Sequence, residues 1–137
     1  MHLSRGAIGA AAALALAAIA CDNGSSKPTS GGPSCLDTLQ TAGIVVEIRD
    51  ARTSEPAALG ATGTVEDGAY MENLVPFGTV APGVLGSLAG AFNRAGTYDV
   101  QVHKPGYLDW SAPGVQVLEG ACGVIPVPLT ANLTPVN

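Results

Sequence analysis

Short runs of alternating apolar and polar residues, each ended by a turn signal, constrain the fold of this chain more than any other feature. Every second residue of Ile44–Ile48 is aliphatic, and Tyr98, Val100 and Val102 repeat the pattern. Alternation with a period of two is typical of a strand that buries one face, and no stretch after residue 35 has helical periodicity. The 18 glycines and 10 prolines suit frequent turns. We therefore expect an all-β domain.

Two turn motifs separate the predicted strands. Asp67-Gly68 stands between the strand-like runs Ala61–Glu66 and Ala69–Leu74, and glycine accepts the positive φ that a tight hairpin needs. Lys104–Tyr107 reads Lys-Pro-Gly-Tyr, which fits a type II turn because proline and glycine occupy its two central positions. About seven short strands separated by such turns predict a β-sandwich of two sheets with Greek-key connections.

The last predicted strand, Val124–Leu133, carries prolines at two alternate positions, Pro126 and Pro128. Residues two apart point their N–H groups to the same side, so both missing donors fall on one edge. The other edge can still pair through Ile125, Val127 and Leu129. This pattern predicts a strand at the border of its sheet.

The first 20 residues have the pattern of a signal peptide. Arg5 precedes an uncharged, alanine-rich run over residues 6–20. A membrane-spanning helix needs about 20 apolar residues, so this run is too short to span but suits the apolar core of a signal peptide. The alternative is an ordinary buried helix, which the following Ser/Gly/Pro-rich segment disfavours.

Cys21 stands directly after this run. Ala18–Cys21 resembles the lipobox of bacterial lipoproteins, although alanine replaces the usual leucine at the first position. In those proteins the cysteine is acylated, with palmitate among the usual fatty acids, and becomes the N-terminus. Two or three acyl chains hold a protein firmly to a membrane. The resemblance predicts a lipid anchor on Cys21; the alternative is a plain secreted protein.

Residues 22–34 separate this cysteine from the predicted strands. They contain no leucine, isoleucine, valine, methionine or aromatic residue, which is typical of a flexible tether. We therefore predict a signal peptide over residues 1–20, a lipidated cysteine and tether over 21–34, and a folded domain over 35–137.

The cysteine count supports an exported protein. Of the three cysteines, lipidation of Cys21 would leave Cys35 and Cys122, one near each end of the predicted domain. We predict that they form a disulfide that joins the first and last strands. A zinc site is the competing interpretation, but the chain has no Cys-x-x-Cys motif, and His103 is the one histidine of the predicted mature chain.

Four motifs in order resemble the carboxypeptidase regulatory-like domain. They are Gly43–Asp50, the Asp-Gly-x-Tyr hairpin at Asp67–Tyr70, Ala95–Val102 with its Gly-x-Tyr-x-Val core, and the Pro105–Tyr107 turn. The resemblance covers nearly all of Ala42–Leu133 and implies a transthyretin-like, Ig-like sandwich of seven strands. The uncharged segment Val75–Ala91 is longer than the usual connection.

Composition and motifs point away from catalysis. The net charge of −5 argues against a nucleic-acid partner. No serine stands in a Gly-x-Ser-x-Gly elbow, and no Asp-x-Asp-x-Asp calcium loop occurs. The transthyretin-like hydrolases of hydroxyisourate use several histidines and a Tyr-Arg-Gly-Ser end, whereas this chain ends at Asn137 without them. We predict no catalytic residue, metal or cofactor, and a solvated surface position for His103.

Two surfaces are candidates for binding. The uncharged segment around Phe77 and Val84 could form an apolar patch that contacts a partner, although a core strand and a loop over the end of the sandwich would explain most of its apolar residues. Tyr107 and Trp110, with Tyr70, could form an aromatic platform for sugar rings, although a single tryptophan is more often a core residue.

These observations predict a lipoprotein that is anchored to a membrane of the cell envelope, on the periplasmic or cell-surface side. Its sandwich would be a structural or protein-interaction module. A carbohydrate-binding module of the envelope is the alternative, and a small hydrolase is the least favoured interpretation.

Overall fold

The computed structural model describes Cys35 and residues 39–137. The predicted signal peptide, the predicted lipid site Cys21 and the tether up to residue 34 lie outside the described residues. The described part of the chain contains ten strands and no helix, so the all-β prediction is confirmed. The strands are β1 (Ile44–Asp50), β2 (Thr62–Asp67), β3 (Tyr70–Asn73), β4 (Val75–Ala81), β5 (Val84–Gly90), β6 (Gly96–His103), β7 (Trp110–Val117), β8 (Glu119–Gly120), β9 (Gly123–Val124) and β10 (Val127–Leu133).

Two four-stranded sheets pack in a sandwich-like arrangement. We name them sheet A, with the strand order β10-β1-β5-β4, and sheet B, with the order β3-β2-β6-β7; β8 and β9 form a separate two-stranded ribbon. The core lies between the two sheets. The predicted inward residues are buried, each at most 1% exposed: Ile44, Val46, Ile48, Tyr98, Val100 and Val102. Alternation along β1 and β6 therefore predicted the buried face correctly.

The two sheets contain eight strands where about seven were expected. The difference arises in Val75–Gly90, which was expected to form a core strand and a loop. This segment instead forms the antiparallel hairpin β4–β5. Its turn residue Gly83 has φ +75°, a conformation that glycine adopts without steric cost, so the chain reverses there and adds a strand to sheet A.

Strand β10 lies at the edge of sheet A, as the two prolines predicted, and it pairs in parallel with β1. The predicted strand is interrupted at its start, however. Ile125 donates its N–H to the carbonyl of Leu118 at 2.9 Å rather than pairing with β1. Its side chain is 51% exposed, whereas Val124 is buried. The pairing expected for Ile125 is therefore wrong, because Pro126 separates it from the ladder that starts at Val127.

Both predicted turns are present. Gly68 connects β2 to β3 with φ +60°. In the turn after β6, Tyr107 donates its N–H to the carbonyl of Lys104 at 3.1 Å, and Gly106 has φ +83°. A hydrogen bond from the fourth residue to the first, with a left-handed third residue, is the geometry of a type II turn.

Leu74, between β3 and β4, fills space left by two glycines on different sheets. It is 7% exposed. A Cβ on Gly63 of β2 or on Gly90 of β5 would lie 2.7 Å from a methyl carbon of Leu74. Side-chain carbons do not approach that closely, so neither position has room for a larger residue beside Leu74.

The cysteine pair lies close to the sandwich. The Sγ atoms of Cys35 and Cys122 are 2.01 Å apart, which is disulfide-bond distance. Cys122 lies in the turn between β8 and β9, so the bond connects the segment ahead of β1 to this ribbon. The expectation that the bond joins the first and last strands is wrong in that detail, because β10 follows the ribbon.

Candidate functional site

Strand β4 is the most exposed strand of the two sheets. Each of its seven residues is exposed to solvent, including Phe77 at 43% and Val80 at 53%. Val84, at the start of β5, is 38% exposed. The structure thus places both residues of the predicted apolar patch, Phe77 and Val84, at the surface on one hairpin.

The open edge of β4 makes this hairpin a candidate binding surface. β4 pairs with β5 on one side and, within the described residues, has no strand on the other. The segment from Asn73 to Asn93 contains no charged residue. An uncharged apolar strand with a free edge is a template for pairing with another extended segment.

Apolar residues continue from Val75 across one face of sheet A, although Ala89, next to Val75 in that row, has no exposed surface. The strand register aligns Pro128, Val45, Ala89 and Val75 in one row across the four strands. Residues in one such row project from the same face of a sheet. In the next row Phe77 is aligned with Ser87 and Glu47, and Glu47 accepts a hydrogen bond of 2.9 Å from Nε of Arg49. The apolar surface therefore ends at an ion pair on β1.

The predicted aromatic platform is divided among separate contacts. Tyr107 and Trp110 are half-buried and pack against the core, and the hydroxyl of Tyr107 donates to Asp50 Oδ2 at 2.9 Å. Tyr70 lies under the guanidinium of Arg94, whose Cζ is 3.8 Å from its ring centroid. The ring pair found in the described part of the chain joins Tyr70 to Tyr98, so Tyr107 and Trp110 do not stack on each other there.

Arg94 organises a polar cluster at the end of sheet B. Its Nη1 donates to Asp67 Oδ2 at 3.0 Å and to the hydroxyl of Tyr98 at 2.8 Å. These two bonds raise the pKa of Arg94, and the hydrogen bond from the Tyr70 hydroxyl to Glu72 raises the pKa of Tyr70. The groups satisfy one another, so the cluster serves to hold the hairpin β2–β3 against β6.

A polar groove of about 410 Å³ lies on sheet B. Four of its lining residues form one row across the sheet: Asn73 of β3, Thr64 of β2, Gln101 of β6 and Ser111 of β7. None of these four residues stands out in the amino-acid sequence. Each is an ordinary polar surface residue of its own strand, and the register between strands is what aligns them.

The groove also contains a histidine–carboxylate pair. His103 Nδ1 lies 2.6 Å from Asp109 Oδ1, and both side chains are exposed, at 62% and 77%. The exposed position of His103 is the one that the sequence predicted. Ser111 lines the same groove, but within residues 39–137 no hydrogen bond joins it to His103. The arrangement lacks the nucleophile–base contact of a serine hydrolase.

The described residues contain neither a metal-binding cluster nor a membrane-spanning helix. Among them no group of three or more His, Cys, Asp or Glu side chains is arranged to hold a metal ion. The same part of the chain has no helix long and apolar enough to cross a membrane.

No protein-family model matches the chain, and no curated protein matches it.

Proposed function

We propose that this chain is a lipid-anchored protein of the cell envelope, outside the cytoplasm, whose sandwich binds a partner protein through β4 without catalysis. The observation that carries the proposal is the edge of β4, which is uncharged, exposed at every residue and unpaired within the described part of the chain. An extended segment of a partner can add to such an edge by backbone hydrogen bonds, while its apolar side chains cover those of β4.

Two features of β4 favour a specific partner over uncontrolled self-association. Pro76 has no N–H to offer, and the register of the β4–β5 ladder shifts between Thr79 and Ala81. Missing donors and bulges restrict which strands can pair with an edge. A partner segment would therefore pair over part of β4, next to Phe77 and Val80.

The proposed location is supported by the sequence. The apolar run of residues 6–20, the lipobox-like Ala18–Cys21 and the tether over residues 22–34 follow one another in the order found in lipoproteins. A cysteine pair at disulfide-bond distance suits an oxidising compartment. We expect the chain to begin at an acylated Cys21.

We further propose that the sandwich is a variant of the transthyretin-like, Greek-key fold of carboxypeptidase regulatory-like domains. Its support is the position of the four motifs: β1, the β2–β3 hairpin, β6 and the turn after β6. The hairpin β4–β5 falls in the segment that is longer than usual in that family, which would account for the additional strand.

Docking at β4 can be tested by site-specific photo-crosslinking in cells. A photoreactive phenylalanine analogue at Val80 is expected to capture a partner through an extended segment, identified by mass spectrometry of the cross-linked peptides. The matched control is the same analogue at Met71, an exposed apolar residue of β3 that is 64% exposed. When the analogue is placed at a neighbouring position of β4, Val80→Lys or Phe77→Lys should abolish capture of the partner. Identical products from positions 80 and 71 would overturn the docking proposal.

Intact mass of the chain purified from membranes tests the anchor. The expected mass corresponds to a chain that starts at Cys21 and carries acyl groups, and Cys21→Ser should leave an unacylated protein. A native chain that retains Met1 and carries no lipid would contradict the proposed location, whatever β4 binds.

A further inference from the structure

The groove on sheet B presents polar side chains that have no hydrogen-bond partner within the described residues. Asn73, Thr64, Gln101 and Ser111 line the groove, and within the described residues none of their side chains takes part in a hydrogen bond. Amides and hydroxyls both donate and accept hydrogen bonds. Four such groups in one row can therefore bind a ligand that also offers donors and acceptors along its length.

The spacing of this row suits a repeating ligand. Neighbouring strands lie about 4.8 Å apart, so the four groups recur at that interval along a line perpendicular to the strands. This interval is close to the rise per pyranose ring of an extended polysaccharide. A glycan chain lying across β3, β2, β6 and β7 would thus meet one polar side chain at each ring.

The charges in the groove favour a neutral ligand over an anionic one. Its lining contains one carboxylate, Asp109, and neither lysine nor arginine. Asp109 is hydrogen-bonded to His103. A phosphate or a uronic acid would meet this carboxylate without a permanent cation to offset it, whereas a neutral sugar hydroxyl can donate to it.

Trp110 lines the groove next to Ser111, but it is aligned with the buried Val102 across β6 and β7, so its side chain lies on the core face of sheet B. It is half-buried against the core, so its position is held by packing before any ligand arrives. Trp110 therefore supports the groove from the core side, and the polar row supplies the groups that meet the ligand.

We propose that this groove binds a neutral polysaccharide in an extended conformation, with its chain running across the strands of sheet B. This site differs from the predicted Tyr107–Trp110 platform, because the binding groups are the polar row and Tyr107 does not line the groove. It also goes beyond the proposed docking at β4, because it uses the other sheet.

Trp110 is the one tryptophan of the chain and lines the groove, so its fluorescence is one readout of occupancy. The full chain in detergent would be titrated with cello-oligosaccharides and manno-oligosaccharides as neutral probes and oligogalacturonate as the anionic probe, with calorimetry in parallel. We expect saturable binding of a neutral probe and none of oligogalacturonate. Gln101→Ala and Asn73→Ala should each weaken binding about five- to tenfold, the loss of about one hydrogen bond.

Ser87→Ala and Thr130→Ala are the matched controls, because they remove hydroxyls from the outer row of sheet A; neither should change binding. Val80→Lys should retain glycan binding, so this site and docking at β4 can fail separately. The absence of both fluorescence change and heat with every neutral probe would overturn the proposal. Tighter binding of oligogalacturonate, or binding unaffected by both Gln101→Ala and Asn73→Ala, would do the same.

Discussion

The hydroxyl of Tyr107 donates a hydrogen bond of 2.9 Å to Oδ2 of Asp50, which ties the Pro-Gly turn after β6 to the end of β1. Oδ1 of the same carboxylate accepts the backbone N–H groups of Arg52 at 2.7 Å and Thr53 at 3.1 Å. The bonds from Arg52, Tyr107 and Thr53 lower the pKa of Asp50, and the bond to Asp50 raises the pKa of Tyr107. One half-buried carboxylate therefore holds two turns of the sandwich together.

This relationship predicts part of the acid sensitivity of the fold. A carboxyl whose pKa is lower in the folded state than its usual 3.8 contributes stability above that pH and loses it as the pH falls through the folded pKa. Asp50→Asn should therefore reduce the free energy of unfolding at pH 7 and flatten its fall below about pH 4. Urea unfolding at pH 7, 4 and 2.5 measures both effects. The control is Glu119→Gln, an exposed carboxylate of the β8–β9 ribbon; an equal flattening in that variant would contradict the assignment to Asp50.

Reduction of the cysteine pair should destabilise the domain. The bond spans 87 residues, and the chain-entropy estimate for a loop of that length is about 4–5 kcal/mol, an upper figure. We expect a reductant to lower the free energy of unfolding by up to this amount in a urea titration. The double variant Cys35→Ser/Cys122→Ser should have the lower stability already and be insensitive to reductant. Equal stability of the wild type with and without reductant would contradict the prediction.

The contact of Leu74 with two glycines predicts a coupled pair of substitutions. Gly90→Ala should cost about 1–3 kcal/mol of stability, because its Cβ would overlap a methyl group of Leu74. Leu74→Ala should also destabilise, by about 2–5 kcal/mol. In the double variant the added methyl has room, so Gly90→Ala should cost less in that background. Chemical unfolding of the wild type, the two single variants and the double variant measures this coupling. Strictly additive effects would show that Leu74 does not limit the space at Gly90.

Tyr98 combines a buried ring with satisfied polar bonds. It has no exposed surface, and its hydroxyl donates to the carbonyl of Arg94 at 2.9 Å while accepting from Arg94 Nη1 at 2.8 Å. Tyr98→Phe keeps the ring but leaves both Arg94 groups without this partner. We expect a loss of about 1–3 kcal/mol in the free energy of unfolding. A change below about 0.5 kcal/mol, the usual range of surface substitutions, would show that water replaces the hydroxyl.

Strands could be predicted where the evidence lies in neighbouring residues of one strand. In β1 and β6 every second residue is apolar, and the alternate positions are the buried ones. Pro126 and Pro128 predicted the edge position of β10, because a missing N–H is a property of the residue itself. Glycine and proline also predicted both turns, because their backbone dihedral preferences are properties of the residues themselves.

The hairpin β4–β5 could not be predicted in this way. Its residues are uncharged and almost all apolar or small, so they have no alternation that separates a buried face from an exposed one. Apolar composition indicated a core strand, whereas every residue of β4 is exposed. Exposure here depends on where the strand order of sheet A ends, and short-range patterns do not specify that order.

The amino-acid sequence by itself determined the all-β class, the buried faces of β1 and β6, the turns at Gly68 and Gly106, and the edge position of β10. These depend on backbone dihedral preferences and on burial that repeats every second residue, which act within a few residues of chain. Tertiary structure alone decided that Leu74 lies against Gly63 and Gly90, that His103 meets Asp109, and that Asn73, Thr64, Gln101 and Ser111 share one row. Those neighbours are set by the register between strands and by the packing of two sheets, in which residues distant along the chain come into contact.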